Sequence, residues 1–350
     1  MRKRLFWLGL CFLPFLGWAG FDVRFTPQGP VNQKTAERPP ASTPIDGLVS
    51  VPVADLRSEP SAVSPQAASQ KPYPIDPKQE TQLLYGETVL ILEEKGLWAR
   101  VEAPDQAEYL LSGHWQGYPG WVLRESVMPH PSDFYPSAVV IARYARVKQS
   151  KKIASAFMEL PMGARVGVIY TEKGWVRVQG PKGEMGWMRA QDVLLDREAP
   201  KKISEIRVAV LAAARQFIGE PYYWGGRCGH QKRGDTPSGV DCSGLVNVAY
   251  RAVCLNAPRD AHEQFMSAHP LKNGTDLQPG DLVFLAKKST PDRMTHVMIY
   301  EKPDTLIEAV HQENKVRRVS FKKKLDVSQK DLHSGSVAGD VIVHFATYFE

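Results

Sequence analysis

Cys242 stands between Asp241 and Ser243 at the head of an apolar run made by Leu245, Val246, Val248, Ala249 and Val253. The spacing predicts an amphipathic helix with the thiol on its first turn. There the unpaired backbone N–H groups and the positive end of the helix dipole both favour a thiolate. The competing reading is an inert structural Cys, because free cysteines are among the most buried residue types. A nucleophilic thiolate needs an imidazole, and that partner comes from elsewhere in the chain.

Of nine histidines, His114 and His130 fall in loops of an earlier region. His230, His262, His269, His333 and His344 lack a strand-mouth setting. His296 opens the apolar run Val297-Met298-Ile299-Tyr300, which places its ring at a sheet edge. A thiolate beside an imidazolium that later gives its proton to a leaving amine is the chemistry of acyl transfer. A third polar group then orients the imidazole. Two residues compete for that place. Glu308 is the single acid within Leu306-Ile307-Glu308-Ala309-Val310, and His311 lies three residues on, facing the other side of a continuing strand.

The elements that must hold these groups lie in a chain of 350 residues, long enough for two or three domains. The net charge of +6 is spread, apart from Arg317-Arg318 and Lys322-Lys323-Lys324, which read as solvated faces. No basic-aromatic motif indicates nucleic acid as a partner. Charge alone suggests an anionic partner such as cell-wall polymer or a membrane surface. Met1-Arg2-Lys3-Arg4, the apolar run Leu5 to Trp18 and the small residues around Ala19 predict a signal peptide over residues 1–20. The expected location is therefore periplasmic or extracellular, at the cell wall, with no stable membrane insertion after cleavage; an uncleaved anchor is the alternative. Cleavage leaves Cys228, Cys242 and Cys254, so at least one thiol is free unless it pairs between molecules; a Cys228–Cys254 bond would leave Cys242 free.

Residues 21–45 are Pro-, Gln- and Thr-rich and predict an extended linker. Ser58 to Pro77 reads as a long loop. Two stretches then repeat one pattern, from Tyr85-Gly86-Glu87 to Gly120-Trp121-Val122 and from Leu160-Pro161-Met162 to Gly186-Trp187-Met188. Each reads as a strand, a Lys-Gly turn, a Trp-bearing strand, a second turn and a Gly-Trp strand. This predicts two small all-β barrels, over residues 46–130 and 131–198, with the tryptophans in their cores. Barrels so repeated resemble bacterial SH3-like domains. From residue 199 to 350, a helix over Ser204 to Ile218 and the Cys242 helix precede five strand-like runs, which predicts an α+β domain.

This last region resembles the NlpC/P60 superfamily of cell-wall cysteine peptidases, whose catalytic domain is papain-like. The matching residues are Pro221-Tyr222-Tyr223-Trp224-Gly225-Gly226, Asp241-Cys242-Ser243-Gly244, Pro258-Arg259-Asp260-Ala261 with Gln264, Leu277 to Phe284, and Thr295 to Tyr300. With its two barrels the chain is most similar to γ-D-glutamyl-L-diamino acid endopeptidases. The resemblance implies Cys242 as nucleophile, His296 as general base and acid, Glu308 as the third polar residue, and Tyr222 as an oxyanion donor. Glu308 departs from the His common there. Asp241, Ser243, Arg259 and Asp260 match substrate-contacting positions, although Asp241 also suits a helix N-cap. In the first barrel, Tyr118 and Glu80 match residues that close one end of the cleft around a free N-terminal L-Ala.

The resemblance implies peptidoglycan stem peptides or murein fragments as partners, and neither cofactor nor metal. Cys228 and His230 alone make too small a ligand set, and the loop around them reads as a rim over the cleft. An amidase or acyltransferase on the same scaffold, or a non-catalytic wall-binding protein, are the rival readings.

Overall fold

The computed structural model describes residues 43–62, 75–229 and 238–349. Residues 1–20, expected to be a signal peptide, residues 21–42 of the expected linker, and His230 lie outside them.

Residues 45–129 form one seven-stranded antiparallel sheet. Its strands are β1 (Ile45–Val49), β2 (Val53–Arg57), β3 (Gln79–Leu84), β4 (Thr88–Lys95), β5 (Trp98–Tyr109), β6 (Trp115–Leu123) and β7 (Val127–Pro129), in the order β3-β2-β6-β5-β4-β1-β7. Next come β8 (Ala138–Val140), β9 (Tyr144–Val147), β10 (Met158–Pro161), β11 (Arg165–Glu172), β12 (Trp175–Gln179), β13 (Met185–Arg189) and β14 (Val193–Leu195). Five of these make a sheet in the order β13-β12-β11-β8-β14, and β9 pairs with β10.

The sequence repeat is a repeat of structure. Lys95 pairs with Trp98 and Glu172 with Trp175 across equivalent turns, each pair of strands carries a bulge, and a 3-10 turn leads into β7 or β14. Gly96 and Gly174 hold φ of +59° and +80° in the two turns, a region open to glycine at little cost.

The tryptophans do not fill the cores. Trp98, Trp121, Trp175 and Trp187 are half-buried, whereas Ala99, Val101, Val122, Val176, Val178 and Met188 on the same strands are buried. Strand alternation gives the inner face to the aliphatic residues. The indoles lie outside, where Lys151 covers Trp187 and Arg189 covers Trp175.

The C-terminal region is α+β, as expected. Helix α1 (Ile203–Arg215), the short pair β15 (Arg227–Cys228) and β16 (Gly239–Val240), α2 (Cys242–Arg251) and α3 (Ala261–Met266) come first. A seven-stranded antiparallel sheet follows, from β17 (His269–Leu271), β18 (Leu282–Lys287), β19 (Thr290–Lys302), β20 (Thr305–Val310), β21 (Lys315–Val319), β22 (Ser336–Ala338) and β23 (Val341–Thr347). Helix α4 (Phe321–Leu325) sits between β21 and β22 in the chain. The unbroken apolar run of β18 reflects a sheet covered on both faces. Leu282, Phe284, Val297, Ile299 and Ile307 pack with Val210 of α1 and Leu245 and Val248 of α2. Val283, Leu285, Met298 and Leu306 pack on the other side with Phe321, Leu325 and Leu332.

Three local expectations change. His296 lies inside β19 rather than at its start, because exposed Thr290–Arg293 prolong the β18–β19 hairpin beyond the core. The strand expected to reach Phe321 ends at Val319, where the Ser320 side chain accepts from the Lys323 N–H and starts α4. The rim loop begins and ends as the β15–β16 pair, and its residues 230–237 lie outside the described chain.

A buried ion pair fastens the first sheet to the C-terminal region. Arg227 Nη1 lies 2.9 Å from Glu87 Oε2, with both side chains fully buried. Arg227 Nε donates to Asn247 Oδ1 on α2 at 2.9 Å, and Gln106 Nε2 donates to Glu87 Oε1 at 2.9 Å. Burial would raise the Glu87 pKa, but Arg227 and Arg251 outweigh it and hold the carboxyl below its usual value. No helix among the described residues is long and apolar enough to cross a membrane.

Candidate active site

Cys242 is the first residue of α2, and Asp241 is its N-cap. Asp241 Oδ1 accepts from the Gly244 N–H at 2.6 Å and Oδ2 from the Gly225 N–H at 2.8 Å. The cap thus joins the helix to the Tyr222–Gly226 loop. A Cβ on Gly244 would lie 2.1 Å from the Gly226 carbonyl oxygen, so glycine is what lets loop and helix approach. The Trp-Gly-Gly and Asp-Cys-Ser-Gly motifs are two halves of one packing unit. Cys242, Cys228 and Cys254 are all free thiols.

His296 Nε2 lies 2.8 Å from Glu308 Oε2. With Nε2 so engaged, Nδ1 is the ring nitrogen left for Cys242, to which the imidazole hydrogen-bonds. Burial opposes a charged His296, yet the contacts with Cys242 and Glu308 prevail and raise its pKa to about 9. Glu308 is fully buried, which by itself favours its neutral form; hydrogen bonding and charge from His296, then Lys324, lower its pKa to about 2.

Of the two candidates for orienting His296, Glu308 therefore makes the contact. The continuing strand expected at His311 ends at Val310, and a turn with Asn314 at φ +48° follows. The His311 ring packs edge-on against Tyr222, with centroids 5.3 Å apart.

Tyr222 is buried. Its hydroxyl pKa is pushed up first by burial and then by neighbouring Cys242 and Asp241, so it is a proton donor beside the sulfur. Arg259, fully buried, gathers the other predicted residues. Its Nη2 donates to Asp241 Oδ2 at 2.7 Å, its Nη1 to Ser243 Oγ at 2.9 Å, and its Nε to Thr81 Oγ1 of the first sheet at 2.6 Å. Asp241 and Ser243 are thus engaged by Arg259, and the Ser243 hydroxyl also donates to Asp241 Oδ1 at 3.3 Å.

Asp260, the N-cap of α3, receives the Tyr118 hydroxyl at 3.0 Å, and Glu80 lies 3.5 Å from the same hydroxyl. Tyr118 and Glu80 therefore reach from the first sheet to the neighbourhood of Arg259. Glu80, Glu108 and Asp260 all have raised carboxyl pKa values; burial is the largest cause in each, and mutual repulsion adds to it. Glu263 is pushed further, to about 7, by burial and then by Asp260.

Four more residues belong to this arrangement: Thr81 and Gln106, which no motif marks, and Arg317 and Lys324, expected on solvated faces. Thr81 and Gln106 sit in strands of the first sheet, where no periodicity marks them. Arg317 donates from Nε and Nη2 to Glu308 Oε1 at 2.9 and 2.8 Å, and Lys324 Nζ donates to Glu308 Oε2 at 2.6 Å. Arg317 was legible in principle, because a tight hairpin after Val310 sets it directly across from Glu308. The Lys324 run is no solvated face throughout: Lys324 points inward, while Lys322 is exposed.

Residues 219–334 match the NlpC/P60 family model. The chain is 25% identical over 244 residues to a γ-D-glutamyl-L-lysine dipeptidyl-peptidase of Bacillus cereus, spanning 68% of this chain and 69% of that one. It is 29% identical over 228 residues to the Bacillus subtilis protein of the same name, spanning 63% and 69%. In fold it is similar to the crystal structure of an NlpC/P60 family protein from Bacillus cereus, with a TM-score of 0.67 and 21% identity over 87% of this chain and all of that one. The C-terminal region is therefore an NlpC/P60 domain, carried on a chain homologous to γ-D-glutamyl-L-lysine dipeptidyl-peptidases.

Proposed function

We propose that this protein is an exported cysteine endopeptidase that hydrolyses the γ-D-glutamyl bond to a diamino acid in peptidoglycan stem peptides. The observation that carries this is His296 held between Cys242, at the head of a helix, and a buried Glu308. The names of the relatives narrow the bond.

Cys242 thiolate attacks the γ-glutamyl carbonyl, and the Tyr222 hydroxyl with helix N–H groups steadies the oxyanion. His296 gives its proton to the departing amine, leaving a thioester on Cys242. Water, deprotonated by His296, then releases the acid and restores the thiol. Glu308 keeps the imidazole turned toward the sulfur throughout. Residues 46–130 and 131–198 act as SH3-like barrels. The first contributes Tyr118 and Glu80, which with Asp260 bind the ammonium of an N-terminal L-Ala. Arg259, bonded to Asp241 and Ser243, braces the same end of the cleft from beneath.

The test is L-Ala-γ-D-Glu-diamino acid tripeptide incubated with the wild type and with Cys242→Ala, beside the N-acetylated tripeptide. Cleavage by wild type alone, and only of the free amine, is expected. No turnover of the free tripeptide sinks the peptidase reading; equal turnover of both substrates removes the role given to Glu80 and Tyr118.

A further inference from the structure

Glu308 is an anion in the place of the group that orients His296, and it does not stand alone. Arg317 on β21 takes one of its oxygens with two N–H groups, and Lys324 on α4 shares the other with His296. Each oxygen of Glu308 thereby meets a cation, and Oε2 meets the imidazole as well. A carboxylate buried against an imidazolium raises the affinity of His296 for its proton, and cations on the same carboxylate weaken that pull. One positive neighbour would offset that charge, and the second fixes the plane of the carboxylate.

We propose that Arg317 and Lys324 are positioning residues that set the proton affinity of the Cys242–His296 pair, by holding and partly neutralising Glu308 and, for Lys324, also by its own charge. The inference rests on the assignment of Cys242 and His296 as the reacting pair. It adds that the carboxylate in the third place acts together with the two cations this chain brings to it. Lys324 opposes protonation of His296, whereas Glu308 favours it, so the two act on the ring with opposite sign. The other charged or titratable groups around the cluster are Cys242 and Tyr222 on the near side, His311 against Tyr222, and Glu313, which pairs with Arg317. None of them contacts both His296 and Glu308.

Substitution therefore moves the pH profile in a direction fixed by charge. Lys324→Gln removes a positive charge and shifts both limbs of the profile to higher pH, the limb reporting His296 more than the limb reporting the thiol. Arg317→Gln moves it the same way. Glu308→Gln moves it to lower pH. Lys324→Arg keeps the wild-type position, and the double variant Lys324→Gln/Glu308→Gln, with the net charge restored, returns toward it.

Two readouts separate this proposal from the peptidase reading. Alkylation of Cys242 by iodoacetamide, followed across pH by mass spectrometry of the Cys242 peptide, reports the thiolate without any peptide substrate. The pH dependence of kcat/KM on the tripeptide reports the pair during turnover. A shift of about half a unit or more in opposite directions for Lys324→Gln and Glu308→Gln supports the proposal. Lower rates at every pH with unmoved midpoints, or shifts of one sign in both variants, overturn it. If the tripeptide is not cleaved but the alkylation midpoints move as stated, the substrate assignment falls and the cation clamp stands.

Discussion

Arg259 Nη2 and Asp241 Oδ2 are 2.7 Å apart, and this one bond ties the cap of the Cys242 helix to the loop that leads into α3. The same guanidinium reaches Ser243 and Thr81, so its planar fork is used on three partners. A lysine has no equivalent geometry.

Arg259→Ala is accordingly expected to destabilise the fold by about 3–5 kcal/mol, because it leaves a buried carboxylate without its counter-charge. Arg259→Lys should recover less than half of that loss. Urea unfolding midpoints of the three proteins check this, and an Arg259→Lys midpoint equal to wild type would contradict it.

The His296–Glu308 pair predicts a stability window. His296 is raised from 6.5 to about 9, so its contribution is fully present below pH 6.5 and is lost as pH rises through about 9. Glu308 is lowered from 4.5 to about 2, so its contribution is present above pH 4.5 and is lost as pH falls toward 2. The gap in Tm between wild type and Glu308→Gln should be widest between pH 4.5 and 6.5. Calorimetry from pH 2 to 10 tests this, and a gap that does not vary with pH counts against it.

Glu263 works in the opposite sense. Its folded pKa of about 7 lies above 4.5, so the folded state holds a proton that the unfolded chain releases, and stability falls as pH rises from 4.5 through 7. Glu263→Gln should remove that fall and stabilise the protein at neutral pH by about 1–3 kcal/mol. Denaturation at pH 4.5 and pH 8 settles the matter; a variant no more stable than wild type at pH 8 would refute it.

Breaking the Arg227–Glu87 pair should cost more than removing it whole. Arg227→Met or Glu87→Leu alone leaves a buried charge and is expected to cost about 3–5 kcal/mol, with the double variant costing less than either. Four denaturation curves, of wild type, the two single variants and the double variant, and the resulting coupling energy decide between this and simple additivity.

Much of this arrangement was legible in the chain. The Cys242 helix could be read because its apolar positions follow a helical period behind a capping residue, and the repeat because two turns share Lys-Gly. Glu308 stood out as an acid inside an apolar strand. What escaped was set by tertiary pairing. The half-buried tryptophans follow from which face of each strand meets the core, which composition does not state. Thr81 matters because a distant loop brings Arg259 to the first sheet, and Gln106 because it donates to Glu87, the partner of distant Arg227. Lys324 looked like one of three surface lysines until the turn of a short helix aimed it at Glu308.

The Arg227–Glu87 contact spans 140 residues of chain. At a synthesis rate of about 5–20 residues per second, Glu87 emerges about 7–28 seconds before its partner. Throughout that interval the face carrying Gln82, Glu87 and Gln106 has no guanidinium to close over it. Burial of that face is thus timed by the arrival of the C-terminal region, and a chain halted before Arg227 should remain open to protease at a surface that the finished protein hides.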